Sequence, residues 1–564
     1  MLTACAATLP ETAPPESAIS IAPASAMRTG SVSAADPRAE DAGREMLAAG
    51  GSATDAAIAV MLALTVVEPQ SSGIGGGGFM VRGTADGSIE SYDGRETAPA
   101  VATPQWFLAP DGTLPPFNES VMSGLSVGVP GNLRLAEMAH AQHGRLPWAK
   151  LFEPAIRLAR GGFAVNNRLA GYLERMGDRA GGNEEARSIY YPGGKPAGAG
   201  STITNPMLAH TMEVIAQQGP DAFYLGDKAR ELALTVSRAT PHDAGMTPAD
   251  IAGYSAKQRD AICGTYRGYR VCSMGPPTSG GIAVLQMLGQ LEGFDLAALG
   301  KDNPVTWHLF VESQRLAYAD RELYLADSDF MPVPVAGLIA PDYLAARGAL
   351  IDPAKRMAQA LPGRPAGAPI ALADGDEPEE HGTSHFAIVD AAGTMVSYTS
   401  TIEGPFGSGL MTGGFFLNNE LTDFSRSPEI DGRPVANRVQ GGKRPRSSMA
   451  PVVIWDPSGK PFLAVGAAGG STIPVTTARA IIGVIDFGLD ADGALALPFA
   501  MSFGEAVLLE EGTWLAASAD RFRALGHSQI VVREAPIKGN AVLRQGDRWV
   551  GARDPRIESG LAVP

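Results

Sequence analysis

The chain is poor in cysteine, in charged residues and in long apolar runs. Of its 564 residues only three are cysteine and 19% are charged, so neither a small disulfide scaffold nor a coiled coil fits the composition. The longest strongly apolar stretch, residues 56–67, is about half of the roughly 20 residues that a membrane-spanning helix needs. The sequence therefore predicts no transmembrane segment.

Basic residues are also few. Sixty acidic residues against 45 basic ones leave a formal net charge of −15, and the short basic run at 443–446 does not offset it. A broad phosphate-binding surface needs clustered lysine and arginine, so nucleic acid is not expected as a partner. What the chain has in abundance is apolar residues, at 45%, with 68 glycines and 43 prolines. This mixture is typical of a loop-rich globular enzyme.

The first forty residues suggest export. Residues 2–5 (LTAC) resemble the motif that ends in the lipidated cysteine of bacterial lipoproteins, which would make Cys5 a lipid anchor. Only four residues precede it, so the match is either accidental or the remnant of a signal peptide. Residues 6–36, rich in Ala, Pro, Ser and Thr, suit a tether and not a core. We therefore expect residues 1–36 to be a signal remnant and flexible tether on a periplasmic or otherwise exported protein.

The other two cysteines flank a predicted hairpin. Cys263 and Cys272 stand at the outer ends of two short strands around a turn at residues 267–268. Counting outward from a two-residue turn places the cysteines opposite each other at a non-hydrogen-bonded pair, where side chains approach closely. A disulfide fits this register and would be favoured in an oxidising compartment. Two free buried thiols fit equally well, and a one-residue shift of the turn would separate the cysteines.

The pattern of apolar residues changes at about residue 383. Before it, helical periodicities dominate, and residues 354–382, rich in Pro, Gly and acidic residues, predict an exposed connector. After it, the pattern predicts strands at 384–389, 394–401, 414–417, 451–455 and 461–466, and a helix at 476–487.

Three familiar motifs stand in the wrong structural context. The glycines at 73–78 match a dinucleotide-binding pattern, but a helix precedes them and a strand follows, so close backbone packing is the better interpretation. Ser126 lies in a Gly-x-Ser-x-Gly sequence without the helix that a hydrolase nucleophile requires next. His381 and His385 are four apart, but Gly382 and the following strand argue against a helix presenting both rings to one metal. No metal or other cofactor is predicted.

Thr383 stands where the connector meets the first of the later strands. A threonine hydroxyl is a poor nucleophile without an adjacent base, and a chain-terminal threonine supplies its own α-amine. That amine has an ordinary pKa of about 7.7–8.0, which suits proton transfer near neutral pH. Thr383 would become terminal only if the chain were cut after Gly382, a residue that tolerates the torsions such a cut requires.

The motifs around this threonine resemble those of the γ-glutamyltranspeptidase family of N-terminal-nucleophile hydrolases. The resemblance runs from about residue 35 to the C-terminus. It is carried by the following stretches: Glu68-Pro69-Gln70 with the glycine run, residues 93–99, 126–131, 266–269 and 276–281, Thr383-Ser384-His385, Thr399-Ser400-Thr401, and residues 406–409, 418–425, 443–449 and 469–471. So many motifs in order are highly specific.

The resemblance implies an α+β fold, a four-layer αββα sandwich formed jointly by two subunits cut from one precursor. The cut between Gly382 and Thr383 would give a large subunit, residues 37–382 after the tether, and a small subunit, residues 383–564, which remain associated as a heterodimer. Thr383 would then attack a γ-glutamyl carbonyl. The resemblance further implies that Thr401 orients the nucleophile and that the backbone N–H groups of Gly469 and Gly470 form the oxyanion hole.

The resemblance also implies a site for the amino-acid end of the substrate. Arg95 would bind the α-carboxylate with help from Ser447 and Ser448, because guanidinium groups pair with carboxylates through two hydrogen bonds. Glu420 and Asp423 would hold the α-ammonium.

The chain departs from the family in three places. Glu403 replaces an asparagine that helps to bind the amino group; the segment between Asp423 and Ser447, a lid in many relatives, contains no tyrosine; and Ala468 replaces a proline, which we expect to matter little.

Three functions follow as hypotheses. The leading one is a γ-glutamyl hydrolase/transferase that acts on glutathione-like compounds and passes the acyl group to water, an amino acid or a dipeptide. The second is an amide hydrolase of the same fold for another acyl group, such as the glutaryl group of cephalosporins. The third is an unprocessed envelope lipoprotein that only binds γ-glutamyl ligands.

Overall fold

The computed structural model describes residues 30–241, 245–369, 372–373 and 382–563. Cys5, His381 and the acidic residues of the connector lie outside these ranges. None of the helices that the structure describes has both the length and the apolar content to span a membrane.

Twelve strands form the centre of the molecule, and all ten strand pairs among them are antiparallel. In chain order they are β1 (Ser31–Ala34), β2 (Gly77–Gly83), β3 (Ile89–Asp93), β4 (Lys257–Arg259), β5 (Ile262–Tyr266), β6 (Tyr269–Ser273), β7 (Ser384–Val389), β8 (Met395–Thr401), β9 (Val452–Trp455), β10 (Pro461–Ala468), β11 (Lys538–Gln545) and β12 (Arg548–Arg553). The first sheet has the order β1-β7-β8-β2-β3-β4, and the second has the order β12-β11-β10-β9-β6-β5.

Helices cover the outer face of each sheet. The helices that build these layers are α1 (Pro37–Ala48), α2 (Ala53–Val67), α3 (Gly280–Leu291), α4 (Pro304–Tyr324) and α5 (Thr472–Ile485). The first two pack on the first sheet, α3 and α5 pack on the second, and β7 and β8 contact β10 across the interior. The four-layer αββα arrangement is therefore confirmed.

Burial on both sides explains the composition of these elements. Every residue of β7 is buried: Phe386 and Ile388 join the core under α1 and α2, whereas Ala387 and Val389 join the core between the sheets. A strand covered on both faces is a continuous apolar run and not an alternating one. Helix α2 is likewise buried at every position and begins at a capping box formed by Ser52 and Asp55.

Both parts of the chain contribute to both sheets. Strands β1–β4 come from before residue 382 and pair in the first sheet with β7 and β8, while β5 and β6 pair in the second sheet with strands from after 383. The change from helix-rich to strand-rich sequence near residue 383 therefore does not separate two domains of the folded protein. A cut before Thr383 would leave the two pieces joined by sheet hydrogen bonds and a shared core.

The predicted tether is too long at its C-terminal end. Residues 31–34 form β1, which pairs with β7 from Ser31↔Val389 to Ala34↔Phe386, and Asp36 caps α1. These residues gain order from a neighbouring strand far along the sequence, which their small, polar composition could not reveal.

The predicted hairpin is confirmed. Strands β5 and β6 pair with Cys263 opposite Cys272, and the two sulfurs form a disulfide with a Cα–Cα distance of 4.1 Å. Of the two alternatives for these cysteines, the structure has the bonded one.

The remaining elements surround the sandwich. The helices and helical turns are Phe117–Val121, Gly124–Ser126, Asn132–His143, Trp148–Phe152, Glu153–Gly161, Asn167–Arg175, Gly177–Ala180, Glu184–Tyr190, Pro192–Gly194, Pro206–Gln218, Asp221–Tyr224, Gly226–Arg238, Pro248–Ala252, Leu296–Leu299, Val335–Leu338, Pro341–Gly348, Glu420–Asp423, Ala491–Leu495, Trp514–Ala517, Ala519–Ala524 and Pro555–Leu561. Short strands pair as Phe163–Ala164 with Thr202–Ile203, Met411–Thr412 with Phe415–Phe416, and Glu429–Ile430 with Arg433–Pro434, and a three-stranded sheet comprises Ala500–Phe503, Ala506–Glu510 and Gln529–Arg533.

Candidate active site

Thr383 is held in a strained conformation at the start of β7. Its φ is +74°, in the left-handed region that β-branched residues avoid, and its side chain is buried. Such a conformation costs about 1–3 kcal/mol and persists only where neighbours enforce it. The Thr383 N–H donates to the carbonyl of Ser71 at 3.0 Å, and the Thr383 carbonyl accepts from the Lys538 ammonium at 2.5 Å.

The hydroxyl of Thr383 contacts the hydroxyl of Thr401. The two Oγ1 atoms are 3.1 Å apart, and Thr401 is the last residue of the neighbouring strand β8. Thr401 Oγ1 also accepts a hydrogen bond from the Glu403 N–H at 2.7 Å. Because that bond occupies the oxygen as an acceptor, the Thr401 O–H remains available to donate to Thr383 and to fix the direction of its lone pairs.

Close backbone packing requires a glycine at position 382. A Cβ at this position would lie 1.6 Å from the carbonyl oxygen of Glu403, far inside van der Waals contact. Glu403 itself has a φ of +72°. The sequence analysis explained Gly382 by the torsional freedom of glycine. The structure adds this close approach as a second reason, and it places a positive φ at the next residue, Thr383.

The glycine loop lies between β10 and α5. Gly469 and Gly470 have φ values of +127° and +59°, and a Cβ on Gly469 would lie 2.5 Å from both Pro536 O and Thr472 Oγ1. Ala468, just before the loop, pairs with Lys538, the residue bonded to Thr383. The loop therefore follows the residue that pairs with this lysine, and it lies at the N-terminus of a buried helix, where backbone N–H groups and the helix dipole favour negative charge.

Arg95 is buried between two carboxylates. It follows the end of β3, where its own N–H donates to Asp93 Oδ1 at 2.9 Å. Its guanidinium forms ion pairs with Glu420 and Asp423 and donates to the carbonyl of Arg446 at 3.1 Å. The residues assigned from the sequence to the two ends of an amino acid thus lie together.

Acidic groups outnumber the cation in this cluster. Burial raises the pKa of Glu420 to about 7 and also raises the pKa values of Asp423 and Glu96, while the charge of Arg95 opposes these shifts. Glu96 and Glu420 are close enough to share a hydrogen bond when one of them is protonated. A site with one buried guanidinium, two buried carboxyls and the partly exposed carboxyl of Asp423 is therefore suited to a ligand that brings both an ammonium and a carboxylate.

Glu403 connects this cluster to the nucleophile. Its N–H binds Thr401, and its side chain hydrogen-bonds with the carboxyl of Asp423, a contact that lowers the pKa of Asp423 against the effect of burial. The contacts thus run from Thr383 through Thr401 and Glu403 to Asp423 and Arg95. Glu403 adds a fourth carboxyl to the site.

The two serines lie beside a second arginine. Ser448 Oγ accepts from Arg321 at 2.8 Å, and Arg321 also donates to Ser279 Oγ at 2.9 Å. The carbonyl of Ser447 accepts from the N–H and the hydroxyl of Ser279. Arg321, near the end of α4, was not identified from the sequence, because a single arginine in a long helix gives no local signal.

The segment after Asp423 folds back on itself. The Asn437 side chain donates to the Asp423 carbonyl at 2.6 Å and accepts from the Arg446 N–H at 2.9 Å. One asparagine therefore joins the two ends of the segment that was predicted to correspond to the lid of relatives.

The comparisons with known proteins agree with this geometry. A family model described as Gamma-glutamyltranspeptidase matches residues 39–563. The chain belongs to the γ-glutamyltranspeptidase family. It is 38% identical over 490 residues to the glutathione hydrolase proenzyme of Bacillus subtilis (strain 168), covering 84% of this chain and 80% of that protein. It is 35% identical over 527 residues to the acylase ACY 1 proenzyme of Pseudomonas sp. (strain SE83), covering 92% and 89%.

Solved structures give the same fold. The cephalosporin acylase from Bacillus halodurans matches with a TM-score of 0.82 at 28% identity, covering 94% of this chain and 95% of that one. The fold is therefore that of the N-terminal-nucleophile hydrolases.

The motifs set aside in the sequence have structural roles. A Cβ on Gly76 would lie 1.9 Å from the Thr401 carbonyl, so the glycine run allows close backbone packing beside the site of this family member. Ser126 Oγ donates to the Val121 carbonyl at 2.7 Å. His385 is buried, its Nδ1 is 2.9 Å from Thr399 Oγ1, and burial lowers its pKa to about 3.

One buried cluster among the described residues has metal-ligand chemistry. Donor atoms of His308, Glu312 and His527 all lie within 4.8 Å of one another. The two histidines hydrogen-bond each other at 2.8 Å, and Glu312 accepts from Arg315 at 2.9 Å. These partners engage the same atoms that a metal would need, so the cluster is explained as a hydrogen-bonded part of the core.

Replacing Thr401 tests the hydroxyl pair. Thr401→Val keeps the shape of the side chain but removes the O–H next to Thr383, and the loss of about 1–2 kcal/mol of orientation should slow chain cleavage before Thr383 roughly tenfold. Cleavage is followed by denaturing gel during incubation of freshly purified protein. Thr399→Val is the matched control on the same strand, because its hydroxyl contacts His385. Equal cleavage rates for the two variants would contradict the role of Thr401.

Proposed function

We propose that this chain is a self-processing γ-glutamyl hydrolase/transferase that cleaves the γ-glutamyl amide bond of glutathione and related compounds. The observation that carries the proposal is the continuous set of contacts from the Thr383 hydroxyl through Thr401 and Glu403 to the ion pair of Asp423 and Arg95. A nucleophile is thereby coupled to a site for an amino-acid end group. The relative named glutathione hydrolase proenzyme supports the same activity.

The precursor first cuts itself. Thr383 Oγ adds to the Gly382 carbonyl, the C–N bond breaks as the Thr383 nitrogen takes a proton, and water hydrolyses the resulting ester. The products are a large subunit, residues 37–382 with whatever precedes it, and a small subunit, residues 383–564, with a free α-amine. Strain at Thr383 favours this step, because the left-handed conformation is relieved when the peptide bond is lost.

The mature enzyme then uses that amine as its base. The α-amine accepts the Thr383 hydroxyl proton as Oγ adds to the γ-glutamyl carbonyl, and it passes the proton to the departing amide nitrogen. The N–H groups of Gly469 and Gly470 stabilise the tetrahedral oxyanion, where one donor is typically worth about 3–4 kcal/mol. Water, an amino acid or a dipeptide then takes the acyl group. Side chains and backbone groups supply all of this chemistry, and no cofactor enters it.

The γ-glutamyl end binds in the acidic cluster. Arg95 turns from its carboxylate partners to the α-carboxylate, which Ser447 and Ser448 also contact, and the α-ammonium takes its place beside Glu420 and Asp423. This exchange replaces ion pairs within the protein by ion pairs with the substrate, so no buried charge is left alone.

A second candidate is an amide hydrolase for glutaryl groups. The acylase relatives favour it. A glutaryl group keeps the carboxylate of a γ-glutamyl group but lacks its ammonium, so the carboxyls of the site would face no cation from the substrate.

The first test is a denaturing gel of the purified protein. Dividing 58.5 kDa in proportion to 382 and 182 residues predicts bands of about 40 and 19 kDa. Thr383→Ala should give one full-length band. Both forms should elute as a single species from a native sizing column, because each sheet contains strands from both subunits. A wild-type chain that stays intact would refute self-processing and favour the ligand-binding lipoprotein.

The second test measures kcat/KM for γ-glutamyl-p-nitroanilide against glutaryl-p-nitroanilide. We expect the wild type to prefer the γ-glutamyl compound, and Asp423→Asn to reduce that preference roughly 10- to 100-fold because a charge-assisted contact is lost. The preference should also weaken below about pH 7, where Glu420, with its raised pKa, gains a proton. Asp486→Asn, which alters an aspartate paired with Arg267, is the control. Activity on the glutaryl compound alone would establish the second candidate.

Export is the third part of the proposal. The Cys263–Cys272 disulfide supports an oxidising compartment, and Cys5 would attach the protein to a membrane by a lipid. When the protein is expressed in a bacterium behind a lipoprotein signal peptide joined at Cys5, fractionation should find it with periplasmic or membrane markers, and Cys5→Ser should move membrane-bound protein to the periplasmic fraction. Recovery with cytoplasmic markers, with both thiols of the hairpin free, would contradict this expectation.

A further inference from the structure

Lys538 reaches the nucleophile from the opposite sheet. It is the first residue of β11 in the second sheet, yet its ammonium donates to the Thr383 carbonyl at 2.5 Å and to Ser71 Oγ at 3.3 Å. The same Ser71 accepts the Thr383 N–H through its carbonyl. Lys538 lies outside every motif that carried the family resemblance, and nothing in the proposed reaction has used it.

The surroundings of this lysine are charged. Glu68, at the end of α2, forms an ion pair with Arg168 at 2.6 Å and accepts from Ser384 Oγ at 2.7 Å. Burial lowers the pKa of Lys538 to about 7, with Arg168 acting in the same direction and Glu68 opposing both. Arg38, on α1, adds a further positive field at Glu68.

The remaining charged neighbours lie along a cavity behind the site. Glu534, Arg175 and Arg556 line the same cavity of about 430 Å³ as Lys538. Arg556 is held by Glu510 at 2.6 Å and Asp554 at 3.0 Å. These ion pairs restrain the groups around the cavity.

We propose that Lys538 is a positioning residue for the Thr383 nucleophile: it fixes the Thr383 carbonyl and places a cation beside the N-terminus that processing creates. The inference rests on the proposed function. In the precursor, the bond to Lys538 is one of three that hold Thr383 at its positive φ, together with those to Ser71 and Thr401. Loss of that bond would release the strained peptide before the hydroxyl can react.

In the mature enzyme the same ammonium acts on the α-amine. A like charge within a few ångströms disfavours the protonated form of an amine and lowers its pKa by roughly one unit or more. The amine, ordinarily of pKa about 7.7–8.0, is then a free base at neutral pH. Lys538 carries its charge below a pKa of about 7 and takes no proton from the reacting groups: the hydroxyl proton passes to the α-amine and from there to the leaving nitrogen.

The experiment uses Lys538→Met, which keeps the length of the side chain and removes the ammonium. Self-cleavage should slow about tenfold, as expected for one lost hydrogen bond to a charged donor. In the processed fraction, the acidic limb of the kcat/KM profile for γ-glutamyl-p-nitroanilide should move up by about one pH unit. Lys443→Met is the matched control, because Lys443 also donates its ammonium to backbone carbonyls, those of Ala436 and Arg438. The acidic limb of its kcat/KM profile should stay at the same pH as in the wild type.

Lys538→Gln separates hydrogen bonding from charge and replaces the methionine variant if that variant does not fold. It retains an N–H donor without the cation, so the limb should move as in Lys538→Met. The inference would be overturned, and the proposed function left intact, if the folded Lys538 variants cut themselves at the wild-type rate and kept the acidic limb at the wild-type pH. A wild-type chain that neither cuts itself nor releases p-nitroaniline would instead refute the proposed function.

Discussion

The site depends on one strained residue held between two sheets. Thr383 has a left-handed backbone at the point where β7 begins, and three groups from separate parts of the chain fix its amide, its carbonyl and its hydroxyl. A conformation that costs about 1–3 kcal/mol survives only in such rigid surroundings. The buried β7, with a core on each face, supplies that rigidity. The αββα sandwich is therefore more than a scaffold, because it stores the strain next to the bond to be cut.

Close backbone packing imposes a second constraint around this residue. Gly76 approaches the Thr401 carbonyl and Gly382 approaches the Glu403 carbonyl, and a Cβ at either position would lie within 2 Å of an oxygen. Both contacts are made to the turn that leads from Thr401 to Glu403. The glycines thereby allow that turn to lie directly against the nucleophile. This need for close packing explains why the glycines at 73–78 match a nucleotide-binding pattern although they lie beside an acyl-transfer site.

The sequence predicted the elements that its local pattern determines. The strand at 384–389 was predicted with its observed bounds, and the hairpin register at Cys263 and Cys272 was correct, because continuous apolar runs and short turns are local signals. The helix predicted from residue 476 begins at Thr472 instead, since the glycine loop before it hides its start. Strand β1 was assigned to the tether because its order comes from pairing with β7, more than 350 residues away.

The site residues likewise fall into two groups, those found from local motifs and those brought in only by the fold. Thr383, Thr401 and the Arg95 cluster could be named because they stand in motifs, whereas Lys538 and Arg321 act across large distances in sequence. Lys538 touches a residue 155 positions away, and only the packing of one sheet on the other brings them together. Local patterns carry no information about such contacts.

The balance of charge in the site gives its selectivity a physical basis. Arg95 faces Glu96, Glu420 and Asp423, with a smaller effect of Arg321 on Asp423, and burial pushes the pKa values of all three carboxyls upward. A ligand with an ammonium lowers the cost of ionising these groups, whereas a ligand without one must enter beside carboxyls that keep their protons. Glu403, in contact with Asp423, lowers the pKa of that carboxyl and so favours its charged form, which a ligand must balance. The substitution of an asparagine by Glu403 should therefore strengthen the demand for a cationic group on the substrate, which favours γ-glutamyl over glutaryl compounds.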